Sequence, residues 1–294
     1  MSTSKKITKV VVSTEQPEGD GARVRRSIGT HQLRNLDPFL MLDEFSVRKP
    51  AGFPDHPHRG FETVTYMLEG TVAHEDFAGH RGRIGPGDLQ WMTAGRGIVH
   101  AEMPDGNTAA KGLQLWVNLP KSAKMVPPKY QELLDKDVPK VSSQDGGVRV
   151  KVIAGESMGV KAKVSTYIPI YYLDFDMDAN KSVEQAIPED YTGFIYTLSG
   201  SALFGSEGTK GEPHSTLVLS RGGSTIRVET KDQSARFVLI AGKPIGEPIV
   251  QHGPFVMNDS REIYQAMLDY QMGQNGFENA AGWESTIARR YRDL

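Results

Sequence analysis

Apolar positions in this chain fall in short, β-branched runs broken by glycine, not in long helical stripes. Residues 9–13, 61–68, 88–93, 112–118 and 148–153 read as strands, as do 171–175, 194–198, 217–219, 225–229 and 236–240. Turn signals separate them, among them Glu69-Gly70, Gly85-Pro86-Gly87-Asp88, Ser199-Gly200 and Arg221-Gly222-Gly223-Ser224. Many short strands with regular turns predict a sandwich or barrel. Two stretches break the pattern. Residues 122–136 are polar and moderately helical around Pro127-Pro128, and predict a short helix in a linker. Residues 259–272 predict the clearest helix. Asp259 and Ser260 can cap it, and Ile263, Ala266, Met267 and Tyr270 recur at helical spacing. Gly273 and Gly276 would end it. It is expected on the surface of the second domain.

The two halves echo each other. Tyr66-Met67-Leu68-Glu69-Gly70 matches Tyr196-Thr197-Leu198-Ser199-Gly200 at an offset of 130 residues, and a glycine-marked strand follows each. Duplication of a β-barrel explains this most simply. With 294 residues and ~150 per domain, the chain divides in two. The expected organisation is all-β: two antiparallel, jelly-roll-like barrels. The first spans 1–120, a linker with a short helix 121–140, and the second, with the C-terminal helix, 141–294. A monomer is expected, because two barrels can cover each other's faces.

Composition narrows the function. A net charge of −2 gives no global attraction to nucleic acid. Cysteine is absent, so disulfides, thiolate zinc sites and cysteine nucleophiles are excluded. No apolar run approaches the ~20 residues that span a bilayer, and the first residues lack the apolar segment of a signal peptide, so a soluble intracellular protein is expected.

The chemistry concentrates in the first half. Of eight histidines, five lie between residues 56 and 100. His56-Pro57-His58 and His100-Ala101-Glu102 each place two donors at i, i+2, which on a strand share one face. Adjacent strands would put four N/O donors on one barrel wall, with Pro57 favouring an edge strand. Three neutral imidazoles and a carboxylate suit a divalent transition metal, and ligands on a single wall leave room for water, oxygen or substrate. Glu62 competes with Glu102 as the carboxylate, having the strand parity of His58. His74 and His80 read as solvated loop residues, and His31, His214 and His252 as isolated. Arg23, Arg25 and Arg26 read as a solvated basic face. Trp91, Trp116, Phe53 and Phe77 read as core, with one or two beside the metal.

Longer motifs carry a resemblance. Asn35-Leu36-Asp37-Pro38-Phe39-Leu40, residues 53–63 (FPDHPHRGFET), residues 88–102 (DLQWMTAGRGIVHAE) and residues 251–258 (QHGPFVMN) closely resemble the pirins of the cupin superfamily. The resemblance implies a bicupin with iron ligands at His56, His58, His100 and Glu102, which decides for Glu102 over Glu62. Gly95 stands where general cupins usually carry proline, which is the pirin form. The offset sets His56 and His58 opposite Ala186 and Pro188, so the second barrel is expected to be metal-free.

Two functions follow from the resemblance. One is quercetin 2,3-dioxygenase activity, with Fe(II) as cofactor (other divalent transition metals fit the donors), a flavonol and oxygen as substrates, and Glu102 as a catalytic base. The alternative is a redox-sensing transcriptional co-regulator. It would meet transcription factors, not DNA, through the surface near Arg59 and Arg96, and would reside in nucleus and cytoplasm.

Overall fold

Every strand predicted above forms. The computed structural model describes residues 3–19 and 21–292, with the backbone alone for 290–292. Twelve strands precede the second half: β1 Ile7–Val12, β2 Glu15–Glu18, β3 Ala22–Ile28, β4 Phe39–Val47, β5 Phe53–His58, β6 Phe61–Glu69, β7 Val72–Asp76, β8 Arg81–Ile84, β9 Leu89–Thr93, β10 Ile98–Pro104, β11 Ala110–Asn118 and β12 Lys129–Leu133. The chain forms two units. One comprises 15–26, 39–135 and 245–294, the other 1–14, 27–38 and 136–244.

In the first barrel a seven-stranded sheet, ordered β12-β9-β6-β11-β4-β3-β2, accompanies a four-stranded sheet, β5-β10-β7-β8. The second barrel repeats both. Its large sheet runs Ile7–Val12, Ser215–Leu219, Thr192–Gly200, Ala235–Gly242, Ile170–Met177, Val148–Ala154, Lys140–Ser142. Its small sheet runs Ser182–Ala186, Thr225–Glu229, Ala202–Phe204, Thr209–Gly211. Tyr66 and Tyr196, the matched tyrosines, sit on the third strand of each large sheet. The repeat seen in the sequence is therefore a repeat of strand order.

The expected boundaries need three corrections. β1 pairs with Ser215–Leu219 and completes the second barrel, not the first. Residues 121–140 are not a linker with a helix. Lys121–Ala123 makes one 3-10 turn. Pro127 and Pro128 then stop helical hydrogen bonding, and β12 joins the first barrel beside β9. The C-terminal helix belongs to the first unit, not the second.

That helix, α1 Ser260–Met272, begins where predicted. Asp259 accepts from the backbone N–H of Arg261 and Glu262, and Gly273 ends the helix in the left-handed region. Its buried positions are Ile263, Ala266 and Asp269, whereas Tyr270 is exposed. An aspartate displaces a tyrosine from the interior because Arg59 is there to meet it. The Arg59 guanidinium donates to Asp269 Oδ2 at 2.7 Å, and both side chains are only 2% exposed. Arg59 also donates to the carbonyls of Arg96 and Asn275 and lies over the Phe277 ring. A second helix, α2 Thr286–Arg292, is held by Glu75, which accepts from the Thr286 N–H and hydroxyl.

This C-terminal segment explains why β10 is buried along its whole length. Val99 packs with Phe255, Met257, Ile263, Ala266 and Phe277. Ala101 and Met103 pack with Ala288. Those odd positions point out of the barrel under the helices, so the even positions, including His100 and Glu102, point in. Gly60, next to Arg59, has φ of +89° and lies where a Cβ would meet the Val256 carbonyl at 2.0 Å. Only glycine permits the turn from β5 to β6 to press so closely on the C-terminal strand.

The interior of the second barrel is apolar. Phe175 and Phe237 stack 5.0 Å apart, Phe204 meets Phe237 edge-on, and Val152, Leu173, Leu217, Ile226 and Val228 complete the core.

Candidate metal centre

β5 is an edge strand, as Pro57 required, and pairs only with β10 in its sheet. The register sets His56 opposite His100 and His58 opposite Ile98. A bulge follows, since β5 spends three residues between His56 and Phe53 while β10 spends two between His100 and Glu102. His56, His58 and His100 therefore share the inner face. Their ligand atoms lie within 4.8 Å of one another. The ring centroids of His56 and His100 are 4.3 Å apart, and those of His58 and His100 are 5.0 Å apart.

Two of these imidazoles, His58 and His100, are short of partners. Burial pushes the His58 and His100 rings well below the usual histidine range, and neighbouring histidines push the same way. His58 Nδ1 and both ring nitrogens of His100 are buried without a hydrogen-bond partner. Buried polar atoms are normally paired. Three convergent lone pairs, two of them on rings that resist protonation, instead fit a divalent transition-metal ion. His56 adds a second sign. Its Nδ1 donates to the Pro54 carbonyl at 2.7 Å, which leaves Nε2 as the free donor atom. The β5 bulge supplies that carbonyl.

Glu102 lies two residues along β10 and is 6% exposed. Its carboxylate is not one of the clustered donors; Thr65 Oγ1 donates to its Oε1 at 2.9 Å. Glu62, the competing carboxylate, faces away. Side chains alternate along β6, and Thr65, on the opposite parity, is the residue that reaches Glu102. Glu62 accepts from Thr93 Oγ1 at 2.6 Å, and burial pushes its carboxyl up to about 7.

Opposite the histidines, the large sheet is layered. Cross-strand partners share a face. Asp43, Gln114, Thr65, Gln90 and Glu132 thus form one polar row over β4, β11, β6, β9 and β12. On one side of it, Phe45, Met67, Val72 and Ile84 form an apolar plug. On the other lie Met41, Trp116, Thr63, Met92 and Tyr130. Trp116 meets the His58 ring edge-on at 5.4 Å and packs on Phe61 at 4.4 Å. Exposure along β11 is inverted from that of a filled barrel. Leu113, Leu115 and Val117 on its outer face are fully buried, whereas inward-facing Gln114 and Trp116 are only half-buried. The space before the histidines is therefore open to solvent.

Comparison with known proteins places this arrangement. The Pirin family model matches residues 21–117, and the model for the pirin C-terminal cupin domain matches 172–276. Human pirin is 58% identical over 98% of this chain and 99% of its own length. The chain belongs to the pirin family. A pirin-like protein of tomato, Solanum lycopersicum, is 56% identical over 95% of the chain and 96% of its own. Among solved structures, a quercetin 2,3-dioxygenase from Acinetobacter baumannii is 34% identical. It superposes with a TM-score of 0.85 over 92% of this chain and 97% of its own. The Escherichia coli pirin solved with nickel(II) shares the cupin fold at a TM-score of 0.64, with 18% identity over 80% of this chain and 99% of its own.

Within this pirin scaffold, some side chains differ from their sequence reading. His74 is no loop residue. It sits buried on β7, directly across from Glu102, with Nε2 2.7 Å from Glu132 Oε1 in a contact outside hydrogen-bond alignment. His80 is half-exposed in the following turn and bonds Asp76 at 2.8 Å. Tyr130 packs against both rings. Burial, with Asp76 beside it, holds the Tyr130 hydroxyl well above the usual range, so it stays protonated. The arginine cluster is ion-paired: Arg23 meets Glu15, and Arg26 meets Glu18 and Asp43. Of the aromatic candidates, Trp116 borders the histidines, Trp91 is fully buried on the outer parity of β9, Phe53 meets Phe45, and Phe77 packs in the outer core.

Proposed function

We propose that this protein is a metal-dependent dioxygenase that opens flavonols, of the quercetin 2,3-dioxygenase type, with iron(II) as its ion. The observation that carries this reading is the cluster of three imidazoles with convergent ring nitrogens, those of His58 and His100 buried without hydrogen-bond partners, facing a solvent-open chamber. The likeness to the Acinetobacter enzyme supports the substrate class. Bound iron would supply Lewis acidity toward the flavonol 3-oxygen and redox access to dioxygen.

His56, His58 and His100 are the residues that hold the ion, with Glu102 as the fourth donor. Glu102 also has the position of a base. Its carboxylate is buried beside the triad and can take the proton of the flavonol 3-hydroxyl. Trp116 and Met41 give the planar substrate an apolar face, and the plug beneath the polar row stops it from going deeper. The overall change consumes one dioxygen. Both of its atoms enter the ring-opened ester, and one ring carbon leaves as carbon monoxide.

The test is turnover of quercetin by iron-loaded protein, followed by flavonol absorbance and oxygen uptake. Wild-type protein should consume both in equal amounts, while His56→Ala and Glu102→Ala lose ~100-fold or more, the loss expected on removing a ligand or a general base. Iron-loaded wild type that consumes flavonol only at the buffer rate would sink the enzymatic reading. The metal site would then belong to a redox-responsive docking protein.

A further inference from the structure

We propose that Thr65 and Gln114 are positioning residues for Glu102, forming a hydrogen-bond relay that fixes one carboxylate oxygen and leaves the other for the ion or a substrate proton. This rests on the reading that Glu102 serves the metal centre.

Thr65 Oγ1 lies 2.9 Å from Glu102 Oε1 and 2.7 Å from the terminal amide of Gln114. A hydroxyl has one proton, so it can donate to only one neighbour and must accept from the other. Thr65 Oγ1 gives that proton to Glu102 Oε1, so at Gln114 it can only accept. The Gln114 amide therefore turns its NH2 to Thr65, and the relay has one direction, Gln114 to Thr65 to Glu102. Amide nitrogen and oxygen have the same shape, so the network, not the outline, decides the orientation.

The relay sits on rigid supports. Thr65 and Gln114 are direct cross-strand partners at the centre of the large sheet, between β9 and β4. Gln114 is next to Asp43 in the same row, and Arg26 donates to both oxygens of Asp43, at 2.9 and 2.7 Å. Glu102 stands on the opposing sheet, where the β5 bulge breaks the register next to it. The backbone there does not by itself set the carboxylate against the three rings. A bond from the far wall does, because it ties the fourth donor to the sheet that does not carry the histidines.

Nickel(II) affinity of the apoprotein, measured by calorimetry, tests the relay without turnover. Glu102→Ala should weaken nickel binding; unchanged affinity overturns the reading beneath this proposal. Thr65→Val should weaken it about 10-fold when Glu102 is present, the lower end of the usual cost of removing a supporting bond. In the Glu102→Ala background Thr65→Val should have no further effect, whereas Thr65→Ser, with Glu102 present, should keep wild-type affinity. If Thr65→Val fails to fold, Gln114→Glu serves in its place, since it removes the donor at the same shape. An equal loss in both backgrounds, or a loss with serine as large as with valine, overturns the relay.

Discussion

Environment, not residue type, separates the two carboxylates that the sequence leaves in competition. Glu62 and Glu102 both sit on strands near the histidines, yet Glu62 faces away from them. Its folded pKa of about 7 lies above its ordinary 4.5. The folded form thus holds its proton longer than the unfolded form, and Glu62 contributes stability below about pH 4.5 that is lost as pH rises through 7. Glu62→Gln keeps the shape and cannot ionise. Its stability relative to wild type should therefore rise between pH 5 and pH 8, by up to about 3 kcal/mol for a shift of some 2.5 units. Thermal melts of the two proteins across that range check it; a constant difference would contradict it. The i, i+2 spacings of His56, His58, His100 and Glu102 were legible in the sequence because strand period fixes side-chain direction. The direction of Glu62 was not. Parity counted from His58 fails across Arg59 and Gly60, where the chain turns between sheets.

At the scale of elements, the C-terminal segment gives the histidine-bearing sheet its outer wall. Arg59 directly follows His58, and its buried bond to Asp269 ties the ligand strand to α1. Asp269→Ala leaves that guanidinium buried and uncompensated, a loss of ~3–5 kcal/mol. The expected result is a lower melting temperature, with early proteolysis in residues 259–292 before the barrel unfolds. Proteolysis that begins elsewhere would count against the segment as a brace. The helix itself was legible from its Asp259 cap and apolar spacing. Its partner was not, because nothing local in residues 259–272 names Arg59. The misread stretch 122–136 fails for a different reason. Lys129–Leu133 alternates too weakly to show as a strand, and only pairing with β9 makes it one.

Across the whole molecule, one fold is used twice with different fillings. The duplicated strand order was readable from the echo around Tyr66 and Tyr196. That β1 completes the second barrel was not readable, since edge pairing carries no local signal. Phe175, Phe204 and Phe237 fill the second interior, where the first keeps its polar row and open chamber. Phe237→Ala should therefore cost ~3–5 kcal/mol of stability through the cavity it leaves, while metal content per folded chain stays at the wild-type value. A parallel loss of metal would show that the second barrel does more than scaffold work. The central claim is that His56, His58 and His100 jointly hold one ion. Elemental analysis of purified protein after saturation with ferrous iron and removal of excess tests it most directly. The account predicts one equivalent of iron per chain in the wild type and near none in His100→Ala; equal iron in the two proteins, or none in either, would contradict it.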